Sequence, residues 1–311
     1  MIDDQVELEL GQHAIVLYHA GCCDGFTAWW VAREGLLQRG FSDEKIRGWA
    51  VHYGNEVPWH LWDEVDGEPE VYIVDFSFPA DVLRQIREKS RKLVVLDHHA
   101  TAQESLADLI AEGPEASGIE LVFDMTKSGA VLAFEYFGGY EDAVELVAYV
   151  EDRDLWSWKL PYSKEVNAVI QSTEFTIEAW DRLGRREVID LAEEGRVMLA
   201  TRQALVDTVS RHYEWLELEG CWVPVCNSSI LQSEIGNQLM LDVEDAPFAV
   251  VWFAKGKEAI VSLRSTDQAL DVSRVAKGYG GGGHRNAAGF KVDLALWVSW
   301  LAKERPEHPD K

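Results

Sequence analysis

The sequence predicts an α/β protein in two parts: a parallel-sheet domain, then a long helical connector leading to a smaller α/β domain with a mixed sheet. Three observations predict it. First, short and continuously apolar runs alternate with segments of helical periodicity through the first half of the chain. Strand alternating with helix gives a parallel sheet buried on both faces. Second, the stretch from Glu187 to His212 contains no Pro and one Gly, and reads as a single helix. Third, strand-like runs and a Gly-rich turn follow it, without the earlier alternation. The parts read as residues 1–190, a connector over 191–215, and residues 216–311.

Each element follows from its own residues. HAIVLYHA is a buried strand ending near His19, and GFTAWWVAREGLLQRG is the helix after it. VYIVDFSF is a second strand and carries Asp75. PADVLRQIREKSRK is its return helix, with Pro79 near the start. KLVVLDHHA is a third strand, closing on Asp97, His98 and His99. TKSGAVLAFEYFG and DAVELVAYV are helical, and the second runs into Asp152 and Asp154. WHLWDEVDGEPE reads as a charged, solvated loop. In the second part CWVPVCNSS, PFAVVWFA and EAIVSLRS read as strands, the last two joined at Lys-Gly-Lys. DVSRVAKGYG is a helix, GGGGHRNAAGF a glycine-rich turn, and KVDLALWVSWLAKE closes the chain.

Composition narrows the function. The net charge is −25 over 311 residues. A protein that tracks a long nucleic acid carries a basic stripe, so the acidity points to short or small anionic partners. The 13 Trp read mainly as packing anchors. Cys22, Cys23, Cys221 and Cys226 show no C-x-x-C pairing, and the last two read as ordinary strand residues. The opening MIDDQVELEL lacks the basic start and apolar run of a secretion signal. No stretch approaches the roughly 18 apolar residues of a membrane span. The expectation is a cytoplasmic protein with no membrane partner. His13, His52, His60, His212 and His308 read as structural.

Parallel sheets place their sites beyond the carboxyl ends of the strands. There His19, Asp24, Asp75, His98 and His99 would meet. Mixed imidazole and carboxylate donors suit Mn, Fe, Co or Zn better than Ca. A shared carboxylate bridges two cations about 3.5–4 Å apart and lets a water between them ionise near neutrality.

The motifs YHAGCCDGF, VYIVDFSF, LDHHAT and VEDRDLW, in that order, resemble those of the DHH phosphoesterase family. GGGGHRNAAGF after SLRS resembles the accessory domain called DHHA1. The resemblance covers most of the chain. It implies two divalent cations, Mn foremost, with Mg, Co or Zn as alternatives. By resemblance His19 binds one metal, Asp24 and His98 the second, and Asp75 bridges both. Asp152 is the remaining carboxylate ligand, with Asp154 its rival. His99 faces the phosphate, and Asp97 holds the imidazoles in register. Cys22 stands where most of the family has Asp and is a further candidate ligand. Arg264, Gly281, Gly282, Gly283, His284, Arg285 and Asn286 would grip the substrate, with the cleft between domains as the active site.

The expected function is therefore hydrolysis of phosphodiesters in short oligonucleotides or small nucleotides by water activated on the metals. A single-strand DNA exonuclease, a pyrophosphatase or polyphosphatase, and a nucleotide sensor without turnover are the competing readings. A homodimer is compatible with all of them.

Overall fold

The structure, a computed structural model, describes residues 13–305; the acidic opening stretch and His308 lie outside the described residues. The chain divides into two compact units, the first ending at Met198 and the second beginning at Leu199.

The first unit is built on five strands: β1 Ala14–His19, β2 Ile46–Val51, β3 Glu70–Val74, β4 Lys92–Asp97 and β5 Ile119–Phe123. They form one parallel sheet in the order β2-β1-β3-β4-β5. Successive side chains leave a strand on opposite faces, and both faces here are covered. Ala14, Val16, Tyr72, Val74, Val94 and Leu96 pack into one core with the helices Cys23–Gln38 and Gly129–Phe137. Ile15, Leu17, Val71, Ile73, Leu93 and Val95 pack into the other with the helix Ala80–Glu88. That double burial explains why the central strands are apolar runs rather than alternating patterns.

The edge strands were not legible as strands. β2 reads IRGWAV and β5 reads IELVF, and both are half-exposed along their length. A solvated edge tolerates Arg47, Gly48 and Glu120, so neither shows an apolar run. One expectation is corrected: the segment WHLWDEVDGEPE is not a solvated loop throughout. Its first residues include the helical turn His60–Asp63, with Leu61 buried and Trp59 and Trp62 packed on the second core. The charges that dominate its composition begin at Asp63, after those apolar anchors.

The long helix spans Val188–Ser210. The second unit has six strands: β6 Glu214–Leu218, β7 Cys221–Asn227, β8 Ala249–Lys255, β9 Glu258–Arg264, β10 Gly282–His284 and β11 Ala287–Asp293. Their order is β10-β11-β9-β8-β7-β6, with β7 and β8 parallel and the other neighbours antiparallel, a mixed sheet. β8 and β9 form a hairpin turning at Gly256, whose φ of 62° a side chain would resist. Cys221 and Cys226 both lie on β7. Phe248, Leu263, Phe290 and Trp297 centre its larger core.

Candidate metal centre

Three neighbouring strands deliver the site. β1 ends at His19, β3 hands over to Asp75, and β4 ends at Asp97 before His98 and His99. Asp75 leaves β3 with a left-handed φ of 62° while its N–H still donates to the Leu96 carbonyl (2.9 Å). Asp is among the few residues that adopt this conformation at modest strain. The turn sets the carboxylate between two rings: Asp75 Oδ2 lies 3.3 Å from His19 Nδ1, and Oδ1 lies 3.1 Å from His98 Nε2.

Asp24 enters from the first turn of the helix Cys23–Gln38 and is 1% exposed. Its carboxylate accepts from the Gly129 N–H (2.6 Å) and the Ala130 N–H (2.9 Å) at the start of the helix Gly129–Phe137. An anion at a helix N-terminus is favoured by the helix dipole and by the unpaired N–H groups there. Asp154 ends the helix Val144–Asp154, and its Oδ2 lies 3.6 Å from His98 Nε2, as does Asp24 Oδ2.

Two glycines make these approaches physically feasible. A Cβ on Gly25 would sit 2.4 Å from the His19 carbonyl and 3.0 Å from Asp75 Oδ2. A Cβ on Gly129 would sit 2.5 Å from Asp75 Cβ and 3.0 Å from Asp24 Oδ2. Neither glycine stands out in the sequence as part of the site. The signal is the pair of glycines directly after Asp24 and Ser128, but the need for them appears only across the fold.

The electrostatics are those of a crowded anionic pocket. Burial, then the charges of Asp75 and Asp154, push Asp24 well above the ordinary carboxylate range. Burial also raises Asp154. Burial alone would raise Asp75 too, but hydrogen bonds from His19 and His98 outweigh it and hold it at about 2. The bond to Asp75, then one to Cys22, lifts His19 to about 10. For His98 desolvation works against the charged ring, yet the bond to Asp75 prevails and the shift is upward. Three carboxylates thus face two imidazoles, and buried like charges without a counter-ion are unfavourable.

The donor atoms fall into three overlapping groups, each close enough to hold one ion: His19, Cys22 and Asp75; Asp75, His98 and His99; and Asp24, His98 and Asp154. Asp75 belongs to two groups and His98 to two, so the set fits a divalent cation, or two that share Asp75.

Asp97 lies behind this set. It is fully buried, and its Oδ1 accepts from the His98 and His99 backbone N–H groups (2.7 and 3.2 Å) and faces His99 Nδ1 at 2.7 Å. It therefore orients the His99 ring and the turn, while the His98 ring is held by Asp75.

Asp152 is corrected. Its carboxylate accepts from the Lys159 N–H (2.8 Å) and the Leu160 N–H (3.2 Å), pinning the loop after the helix, and it joins none of the donor groups. Asp154, by contrast, shares a donor group with Asp24 and His98.

In the second unit, Arg264 ends β9 beside Ala287 of β11. Its guanidinium donates to the Leu263 carbonyl and the Ser233 hydroxyl, and burial lowers its pKa. Arg285 donates to the Asp267 and Ala269 carbonyls, and Asn286 Nδ2 to Asp267 Oδ1 (2.6 Å), so both brace the adjoining loop. Gly281 and Gly283 lie where a Cβ would strike the backbone of β11, whereas Gly282 faces open space and His284 is exposed.

The chain is similar to several known proteins. Residues 227–299 match the family described as the DHHA1 domain. The chain is 29% identical over 291 residues to an uncharacterized protein of Acanthamoeba polyphaga mimivirus, covering 89% of this chain. It is 24% identical over 279 residues to oligoribonuclease NrnB of Bacillus subtilis, covering 79% of this chain. It spans 66% of the length of each of these relatives. Among solved structures it resembles the pGpG-specific phosphodiesterase PggH from Vibrio cholerae, with a TM-score of 0.52 and 13% identity over 93% of this chain and 96% of that one. It also resembles RecJ from Thermus thermophilus in complex with Mn2+, with a TM-score of 0.50 and 17% identity over 94% of this chain and 51% of that one.

Proposed function

We propose that this chain, whose residues 227–299 match the DHHA1 domain and whose likeness to NrnB, PggH and RecJ supports a DHH-family protein, is a metal-dependent phosphodiesterase acting on short oligonucleotides or small nucleotides. The observation that carries the reading is Asp75, a buried carboxylate gripped by two imidazoles and common to two donor groups. Divalent cations held among His19, Cys22, Asp24, Asp75, His98 and Asp154 would supply positive charge to the phosphoryl oxygens and make water a better nucleophile.

The chain's own residues do the rest. Asp97 fixes the His99 ring through Nδ1, which leaves Nε2 to hold or pass a proton at the phosphate. The N–H groups of Gly129 and Ala130 keep Asp24 in place before any ligand arrives, so little reorganisation remains during the reaction. The substrate class is drawn from the net charge of −25, which disfavours long polyanions, and from the likeness to NrnB and PggH. His284 and Gly282, exposed in the second unit, are proposed as contacts to a terminal phosphate.

The test is a panel of a 5′-phosphorylated dinucleotide, longer single strands and pyrophosphate under Mn, Mg and Co. Mn-dependent cleavage that favours the dinucleotide is expected. Turnover of pyrophosphate alone, or a rate indifferent to strand length, overturns the reading.

A further inference from the structure

A cavity of about 580 Å3 opens beside the donor cluster within the first unit, and none of the catalytic chemistry above uses it. Its walls come from the segment after β2, the segment after β3, the helix Ala80–Glu88 and the short helix Ala100–Ser105. We propose that it receives the nucleobase of the nucleotide whose phosphate lies at the metal centre. The inference rests on the phosphodiesterase reading and names a subsite for it.

Three features support this. Four aromatic side chains, Tyr53, Trp59, Phe76 and Phe78, are part of the lining, and every nucleobase offers a flat face to such rings. Asn55 and Gln85 add amide donors and acceptors. No Lys or Arg lines it, while Glu56 does. A phosphate would find no cationic side chain there, whereas a neutral ring needs none. The volume lies within the roughly 300–1,000 Å3 of small-molecule sites.

Tyr53 connects the cavity to the chemistry. Its ring makes edge contacts with His19 (5.0 Å), His99 (5.8 Å) and Phe76 (6.4 Å). Phe76 is the residue directly after Asp75 and is 2% exposed. Tyr53 remains 53% exposed, so an aromatic ring stands open to solvent against two imidazoles of the cluster. A base in the cavity would cover it and leave its own phosphate near His99.

The test compares a 5′-phosphorylated dinucleotide with the same molecule lacking its 5′ base. The wild type is expected to favour the base-bearing form by at least about tenfold in kcat/KM, the scale of one base stacking on aromatic side chains. Val82→Trp, which fills the cavity from the helix Ala80–Glu88, should bring that ratio close to one. Ser105→Trp fills it from an exposed position on the opposite wall and serves if the first variant does not fold. A second arm measures binding of guanosine 5′-monophosphate and ribose 5-phosphate to metal-free protein by calorimetry. A preference for the nucleotide that both filled variants abolish supports the proposal. Equal binding of the two probes, or a preference that survives filling, overturns it. If no diester is cleaved under any metal, the phosphodiesterase reading fails, and the binding arm still decides this one.

Discussion

His98 Nε2 lies 3.1 Å from Asp75 Oδ1, although the two residues leave different strands of the sheet. The same nitrogen is 3.6 Å from both Asp24 and Asp154. One imidazole thus faces three carboxylates, and its removal should undo the cluster. His98→Gln is expected to lower Mn affinity and turnover by more than the roughly 10–100-fold that follows loss of a group merely supporting a ligand. A Mn titration followed by rate measurement checks it. A variant with unchanged Mn affinity removes His98 from the centre.

Asp152 and Asp154 were rivals on sequence, and the reason is geometric. Both lie in the last turn of one helix, and two residues along a helix turn it by about 200°, so only one can face the cluster. Which one depends on how the helix packs on its neighbours, which local pattern does not encode. The same limit hid Gly129, whose need arises from contacts with Asp75 and Asp24 far away in the chain, and Gly25, which meets the end of β1 at His19 as well as Asp75. By contrast Asp75, His98 and His99 were legible, because polar residues closing an apolar strand are unfavourable there unless a function requires them. The edge strands β2 and β5 were lost for the opposite reason: half-solvated strands carry no apolar signature.

That distinction makes a paired prediction. Asp154→Asn should reduce Mn affinity while leaving thermal stability within about 0.5 kcal/mol, because its attraction to His98 is opposed by burial and by the charge of Asp75. Asp152→Ala leaves the Lys159 and Leu160 N–H groups without their acceptor and should cost about 1–3 kcal/mol. Denaturant unfolding and Mn titration on both variants separate the two effects. The reverse pattern would restore Asp152 as the ligand.

Gly129→Ala tests the close approach of helix and cluster. The new Cβ would meet Asp75 Cβ at 2.5 Å, and both contacts belong to buried residues that cannot step aside. Overpacking of this kind costs about 1–3 kcal/mol, and here it also displaces the N–H groups that hold Asp24. Loss of Mn affinity together with a lowered unfolding midpoint is expected. An Ala variant with both intact would mean the site has room that these distances deny.

The response to pH follows from His19. Its folded pKa, raised to about 10 chiefly by the bond to Asp75, exceeds the ordinary value of 6.5. In metal-free protein that pair therefore adds stability fully below about pH 6.5, and the contribution fades as pH climbs toward 10. A cation needs the unprotonated ring, so metal binding displaces the proton and strengthens as pH rises. The gain in melting temperature on adding Mn should accordingly be larger at pH 8.5 than at pH 6. Thermal unfolding with and without Mn at the two values checks it. An equal shift at both would exclude His19 from the ligand set.

Cys22 gives a prediction about which cation the centre prefers. It shares a donor group with His19 and Asp75, and its side chain stands at the N-cap of the helix Cys23–Gln38 without capping it. The hydrogen-bonding need of that helix end thus does not explain a thiol there. A thiolate favours softer ions such as Zn, whereas a carboxylate favours Mn and Mg. Cys22→Asp should therefore shift the ratio of Mn to Zn affinity toward Mn by about tenfold or more, a difference of about 1.4 kcal/mol. Cys22→Ala should weaken Zn more than Mn, because it removes the only sulfur in the group. Competition titrations with the two ions read both effects. A ratio unmoved by either substitution would place the thiol outside the coordination sphere, and would leave Asp75 and His19 to hold that ion without it.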